Sequence, residues 1–131
     1  MAFLTLRAHG PAAPDVVWER YARPGLWSSW SPQVSRVEVD VERLAEGVTG
    51  VVVGPAGLSV DFTVDRWDEQ GREWSWSVRP ALALRLGLVL DHGVTPRDRG
   101  AATWLRIGGP LPVVLSYAAP ARLALHRLVQ E

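Results

Sequence analysis

The sequence contains no cysteine and no lysine. Without cysteine there is no disulfide framework, no thiolate nucleophile and no cysteine-based metal site. Without lysine there is no Schiff-base chemistry and no phosphate loop of the usual kind. All fourteen basic side chains are therefore arginine, and fourteen acidic ones cancel them. A balanced chain lacks the net positive face that nucleic acid or an anionic membrane requires, so no nucleic-acid partner is expected. Long hydrophobic runs are missing too: the longest, Leu82 to Leu90, is broken by Arg85 and is too short to cross a bilayer. The start, Met1 to Gly10, has neither the basic nor the apolar region of a signal peptide. The chain thus reads as a cytoplasmic protein with no integral membrane segment.

Motifs that would announce a chemistry are also lacking. His9, His92 and His126 fall on separate elements without ligand spacing, so neither a metal nor a cofactor is expected. Gly47, Gly50, Gly54 and Gly57 do not spell a phosphate loop, and no serine sits in a nucleophile elbow.

What is present is tryptophan. There are seven, and Trp18, Trp27 and Trp30 fall within one stretch, Ala13 to Asp40. Large rings crowded so closely imply a wide apolar surface or hollow that helix and loop must close over. The 131 residues suit one domain spanning 1–131, large enough to bury about two-thirds of its unfolded surface.

The periodicities predict the elements. Phe3 to His9 reads as a strand ended by Gly10-Pro11. Pro14 suits the first position of a helix, with Asp15 and Glu19 in its positive half and Val17, Trp18 and Tyr21 on its apolar stripe. Pro24-Gly25 stops it, and a short second helix carries Leu26, Trp27 and Trp30 up to Ser31-Pro32. The period then changes to two, predicting strands over Arg36–Glu42, Thr49–Val53, Leu58–Asp65, Arg72–Arg79, Leu84–Val94 and Ala101–Ile107. Leu111 to Gln130 is rich in helix formers, with a kink or break expected at Pro120. Strands joined by short turns pair antiparallel, and one apolar sheet face needs a cover. The expected fold is α+β: a seven-stranded curved antiparallel sheet wrapped on a C-terminal helix, with two short helices after the first strand.

Four segments carry a resemblance: Ala-Pro-Asp-Val-Val-Trp at Ala13–Trp18, Trp-Ser-Ser-Trp-Ser-Pro at Trp27–Pro32, Trp-Ser-Trp at Trp74–Trp76, and Asp-His-Gly-Val at Asp91–Val94 leading to Gly100. In these the chain resembles the START-like, or helix-grip, superfamily in its polyketide cyclase/dehydrase-like (SRPBCC) branch, over about Phe3 to Gln130. The resemblance implies an apolar cavity between sheet and terminal helix. It implies no catalytic set, because members range from ligand carriers to cyclases on one scaffold. The terminal helix departs from the family by its interruption at Pro120.

Candidate residues follow from parity. Trp74 and Trp76 share a strand face and, with Phe62 on the neighbouring strand, form either a cavity wall or plain core. Trp27 and Trp30 fall where a rim would be, as gate or as pins for the loop. Leu90 and His92 continue the inward row of the sixth strand, and His92 is the leading acid/base or polarising group, unless it is a satisfied core histidine. Tyr117 offers a hydroxyl from the terminal helix. Arg66 shares the parity of Phe62 and Val64, where it would bind a carboxylate or phenolate, or else it is an ordinary solvated arginine at a strand end. The first expectation is a binding protein for a hydrophobic, lipid- or polyketide-like small molecule. The alternatives are a polyketide cyclase/dehydratase using His92, Tyr117 or Arg66, and a protein-interaction module with an apolar groove.

Overall fold

The computed structural model describes residues 1–80 and 87–131. Strand β1 (Ala2–Gly10) is followed by helix α1 (Pro14–Ala22), a 3-10 turn at Pro24–Leu26 and the one-turn helix α2 (Trp27–Trp30). Strands β2 (Arg36–Glu38), β3 (Thr49–Val53), β4 (Ser59–Asp68), β5 (Glu73–Pro80), β6 (Leu88–Arg97) and β7 (Gly100–Gly109) lead to helix α3 (Leu111–Leu128). All neighbours pair antiparallel in one seven-stranded sheet of order β1-β7-β6-β5-β4-β3-β2. The chain therefore starts beside its last strand, and α1 and α2 carry it across to the opposite edge. The expected start of the sixth strand, at Leu84 to Leu86, lies outside the described residues.

The period-two pattern places the faces correctly where pairing is regular. Trp74, Trp76 and Val78 of β5, Leu88, Leu90 and His92 of β6, and Thr103, Leu105 and Ile107 of β7 are buried, while Arg79, Val89 and Arg106 are exposed on the other side. One strand differs from expectation. The strand expected over Arg36–Glu42 ends at Glu38, because the chain leaves the sheet to bury Leu44, whose amide donates to the Ala22 carbonyl at the end of α1 at 2.8 Å. Burial of a leucine and service of a helix-end carbonyl outweigh local alternation on an edge strand. Of the kink or break expected at Pro120, the break does not occur: the helix is continuous from Leu111 to Leu128. Packing holds it: Val114, Ala121, Leu125 and Leu128 are buried around the proline.

The two ends of the grip are tied. Arg20 of α1 donates to the Leu128 and Gln130 carbonyls at 2.7 and 2.5 Å, placing a cation at the negative end of α3. The Ala12 amide donates to the Val129 carbonyl at 3.0 Å. The β6–β7 turn closes at Gly100, where φ is +133° and a Cβ would lie 1.9 Å from the Gly10 carbonyl oxygen, so only glycine fits. At the end of β4, Trp18 and Trp67 meet at 4.5 Å with planes tilted 31°, and both donate to Glu69, which Arg43 also pairs at 2.8 Å. No helix among the described residues is long and apolar enough to cross a membrane.

Candidate functional site

Trp27 and Trp30 have their indole nitrogens occupied at the end of α1. Trp27 Nε1 donates to the Tyr21 carbonyl at 2.9 Å and Trp30 Nε1 to the Arg20 carbonyl at 3.2 Å. These are carbonyls that a helix end leaves without intrahelical partners. The pinning turns both rings toward the sheet, and both line a cavity between the sheet and α3. Pinning and lining are thus joint properties of one contact. Trp27 is 2% exposed and lies deep, whereas Trp30 is only half-buried.

The cavity has a volume of about 420 Å³, within the size range of small-molecule sites. β5 supplies Trp74 and Trp76, β6 supplies Leu90 and His92, and α3 contributes the Ser116, Tyr117, Pro120 and Ala121 positions. No Asp, Glu or Arg among the described residues lines it. Aromatic contacts concentrate at the α1–α2 end. Trp27 meets Trp76 at 5.0 Å, Trp74 meets Trp76 at 5.3 Å, and Tyr21 meets Trp74 at 5.6 Å.

His92 is packed into this aromatic end. Its ring stacks on Trp74 with centroids 4.5 Å apart, and its Nε2 accepts from Trp76 Nε1 at 3.0 Å. Burial alone pushes its pKa down to about 3, since no carboxylate stands near to favour the charged form. Burial pushes the Tyr117 hydroxyl up to about 12, with the Gln33 side chain opposing the rise. Tyr21, 0% exposed beneath the aromatic cluster, hydrogen-bonds Thr103 Oγ1 at 2.6 Å, and Thr103 in turn donates to the Gly93 carbonyl at 2.9 Å. Burial raises its pKa as well.

Of the residues singled out in the sequence, Trp27, Trp30, Trp74, Trp76, Leu90, His92 and Tyr117 come together around the cavity. Phe62 does not reach the wall. It is buried one layer back, against Trp27 at 5.8 Å and Trp76 at 5.4 Å. Arg66 is exposed on the outer face and pairs with Glu73 at 3.3 Å. The pairing register slips between Val64 and Arg66, so the inserted Asp65 reverses the phase that parity had assigned to Arg66. Residues the sequence reading missed include Gln33, in a loop with no periodic signal, and the neighbours of Tyr117 on its helix face, at 113, 116, 120, 121 and 124. That row has the i, i+3, i+4, i+7 spacing of one helix face, which was there to be found.

An antiparallel sheet gripping a terminal helix around an apolar cavity defines the class as a START-like, helix-grip protein. A family model described as polyketide cyclase / dehydrase and lipid transport matches residues 1–131, and the chain belongs to that family. No curated protein matches it in sequence. The crystal structure of Ara h 8.0201 superposes with a TM-score of 0.76 at 11% identity, over 97% of this chain and 94% of that one. Protein jhp0584 of Helicobacter pylori gives 0.78 at 12% identity, over 98% of this chain and 86% of its own. XoxI of Bacillus cereus gives 0.73 at 14% identity, over 98% and 94%. At such identities the likeness is one of fold. Fold and family are together those of hydrophobic-ligand-binding or polyketide cyclase-like proteins.

Proposed function

We propose that the protein binds a hydrophobic small molecule, lipid- or polyketide-like, in the cavity between sheet and α3. The observation that carries this reading is a hollow of about 420 Å³ whose wall, among the described residues, holds no ionised side chain near neutral pH. A ligand hiding about 300 Å² of apolar surface there gains about 7 kcal/mol at about 25 cal/mol per Å². Ordering costs subtract from that, so affinity no tighter than micromolar is expected.

Binding is favoured over catalysis for a stated reason. A general acid or base works best with a pKa near the operating pH. His92 lies far below it and Tyr117 far above, and Arg66 stands outside the cavity. The volume of about 420 Å³ likewise has the size of a small-molecule site.

The test is mass spectrometry of organic extracts from protein purified under native conditions, followed by titration with the neutral fluorophore N-phenyl-1-naphthylamine. A co-purifying apolar compound, displaced by the fluorophore, is the expected result. Absence of both a carried compound and saturable fluorophore binding would overturn the reading. Turnover of a poly-β-keto chain into a cyclised product would replace it with the catalytic one.

A further inference from the structure

The two edges of the sheet are unequal: β2 is three residues long and β1 is nine. β1 pairs with β7 in one register from Ala2↔Gly109 to Gly10↔Ala101, without a bulge. Among the described residues no other strand or loop bonds its backbone, so a row of N–H and C=O groups lies unpaired along its free side. Natural sheets blunt such an edge with proline, lysine, a bulge or an inward charge. β1 has none of these, and its Arg7 is exposed on the outer face. Leu4 and Ala8 face inward with the buried Leu6 yet are only half-buried, as on a flank that nothing covers.

α3 borders the same flank. It runs in the direction of β1, since it starts just after Gly109, the partner of Ala2, and ends where the Val129 carbonyl accepts from the Ala12 amide. At 100° per residue, the buried Val114, Ala121, Leu125 and Leu128 form its sheet-facing ridge. The cavity-lining positions 113, 116, 120 and 124 lie on one side of that ridge, toward β3, β4 and β5. Leu111, Leu115 and Arg122 lie on the other side, toward the β1 edge. Both leucines are uncovered there, at 55% and 59% exposure.

A second copy of this chain fits the edge and the helix together. Two identical antiparallel strands are related by a two-fold axis, and the register that pairs all nine residues is centred on Leu6. It sets Leu4 against the partner's Ala8 on the inner face. On the outer face it sets Phe3 against the partner's His9 and Thr5 against the partner's Arg7, so no arginines stand directly opposite. A chain of zero net charge adds no overall self-repulsion.

The spacing of the helices agrees. α3 packs on both β1 and β7, so its axis lies between them, and strands joined across the seam are about 4.8 Å apart. The two helices then run antiparallel about 10 Å apart, at the upper end of the contact distance for packed helices. The flank is about 30 Å long and about 20 Å deep, one sheet layer plus one helix. It would cover about 1,200 Å² over both protomers, the lower bound for a stable dimer. An extended peptide from another protein would complete the ladder but brings no helix, and would leave Leu111 and Leu115 bare.

We propose that the protein self-associates as a two-fold dimer through β1, its two sheets joined edge to edge and its α3 helices packed across the seam. The cavity-lining side of α3 faces away from the seam, so ligand binding is independent of association.

Sedimentation velocity over a concentration series should show a monomer–dimer equilibrium with a dissociation constant in the micromolar range, as an interface of this size allows. Amide exchange well below and well above that constant should show protection growing in β1 and in no other strand. Leu115→Glu should weaken association at least about tenfold, because the two-fold axis repeats the buried charge. Thr5→Glu, set against the partner's Arg7, should tighten it about threefold. Both positions are exposed and outside the cavity, so circular dichroism and fluorophore binding should match the unmodified protein. Should either variant misfold, the concentration-dependent exchange of β1 in the unmodified protein decides alone. A monomer at every concentration, protection growing in another strand, or association weakened by Thr5→Glu overturns the proposal. Fluorophore titration of the same samples scores the ligand reading separately.

Discussion

The imidazole of His92 lies face to face with the indole of Trp74, planes 13° apart, and accepts a hydrogen bond from the next inward indole on the same strand, Trp76. The histidine is thus held neutral by packing, and its pH behaviour follows. Its pKa of about 3 stands below the ordinary 6.5, so between those values the unfolded chain takes up the proton first. Stability should fall as pH drops from about 6.5 toward 3, by at most about 1.4 kcal/mol per pH unit from this group. Urea denaturation at pH 4, 5 and 6 should show that slope, and His92→Gln should flatten it. Ligand affinity should stay constant from pH 6 to 8; a titration of affinity centred near pH 6.5 would show that the imidazole is solvated.

Trp27 and Trp30 should separate under mutation. Trp27 is fully buried and meets Phe62, Trp74 and Trp76, so Trp27→Ala should cost about 3–5 kcal/mol of stability. Trp30 is half-buried, with a longer hydrogen bond to the Arg20 carbonyl at 3.2 Å. Trp30→Ala should weaken fluorophore binding several-fold while shifting the urea midpoint less than Trp27→Ala does. Equal stability losses would make Trp30 a core residue.

Tyr21 touches the aromatic cluster from behind without lining the cavity, and its hydroxyl ends on Thr103. Tyr21→Phe should therefore lower stability by about 1 kcal/mol and leave fluorophore affinity within about twofold. Thermal melts paired with titration read both. A large loss of affinity at unchanged stability would place the hydroxyl in the site.

Pro120 lines the cavity from within a continuous helix, where it denies the Ser116 carbonyl its backbone partner. Pro120→Ala restores that bond. The gain should be about 2 kcal/mol, since removing an interior helix proline recovers about 3 and the freer unfolded chain takes back up to about 1. Chemical denaturation measures it; a loss of stability would mean that the pyrrolidine ring itself fills the wall.

Some of this was settled by the order of residues alone. Alternation in Trp74–Val78, Leu88–Val94 and Thr103–Ile107 fixed which side chains face inward, because successive residues of a strand must point to opposite faces wherever the ladder is regular. The proline and glycine stops bounded the two helices after β1, and the Ala13–Val41 segment with the two paired-tryptophan motifs sufficed to mark the family. The tertiary structure decided what depends on contacts between distant residues. One inserted residue in β4 sent Arg66 outward, and a bulge has no period to betray it. Leu44 drew the chain out of β2 because a buried place waited under α1. Phe62 and Trp76 share a face, yet only Trp76 reaches the hollow, since depth within a face is set by what packs across it. The same holds for Trp74 Nε1 and His92 Nδ1, buried without a hydrogen-bond partner: whether a buried polar atom finds a partner is a matter of three-dimensional proximity, which alternation along a strand does not encode.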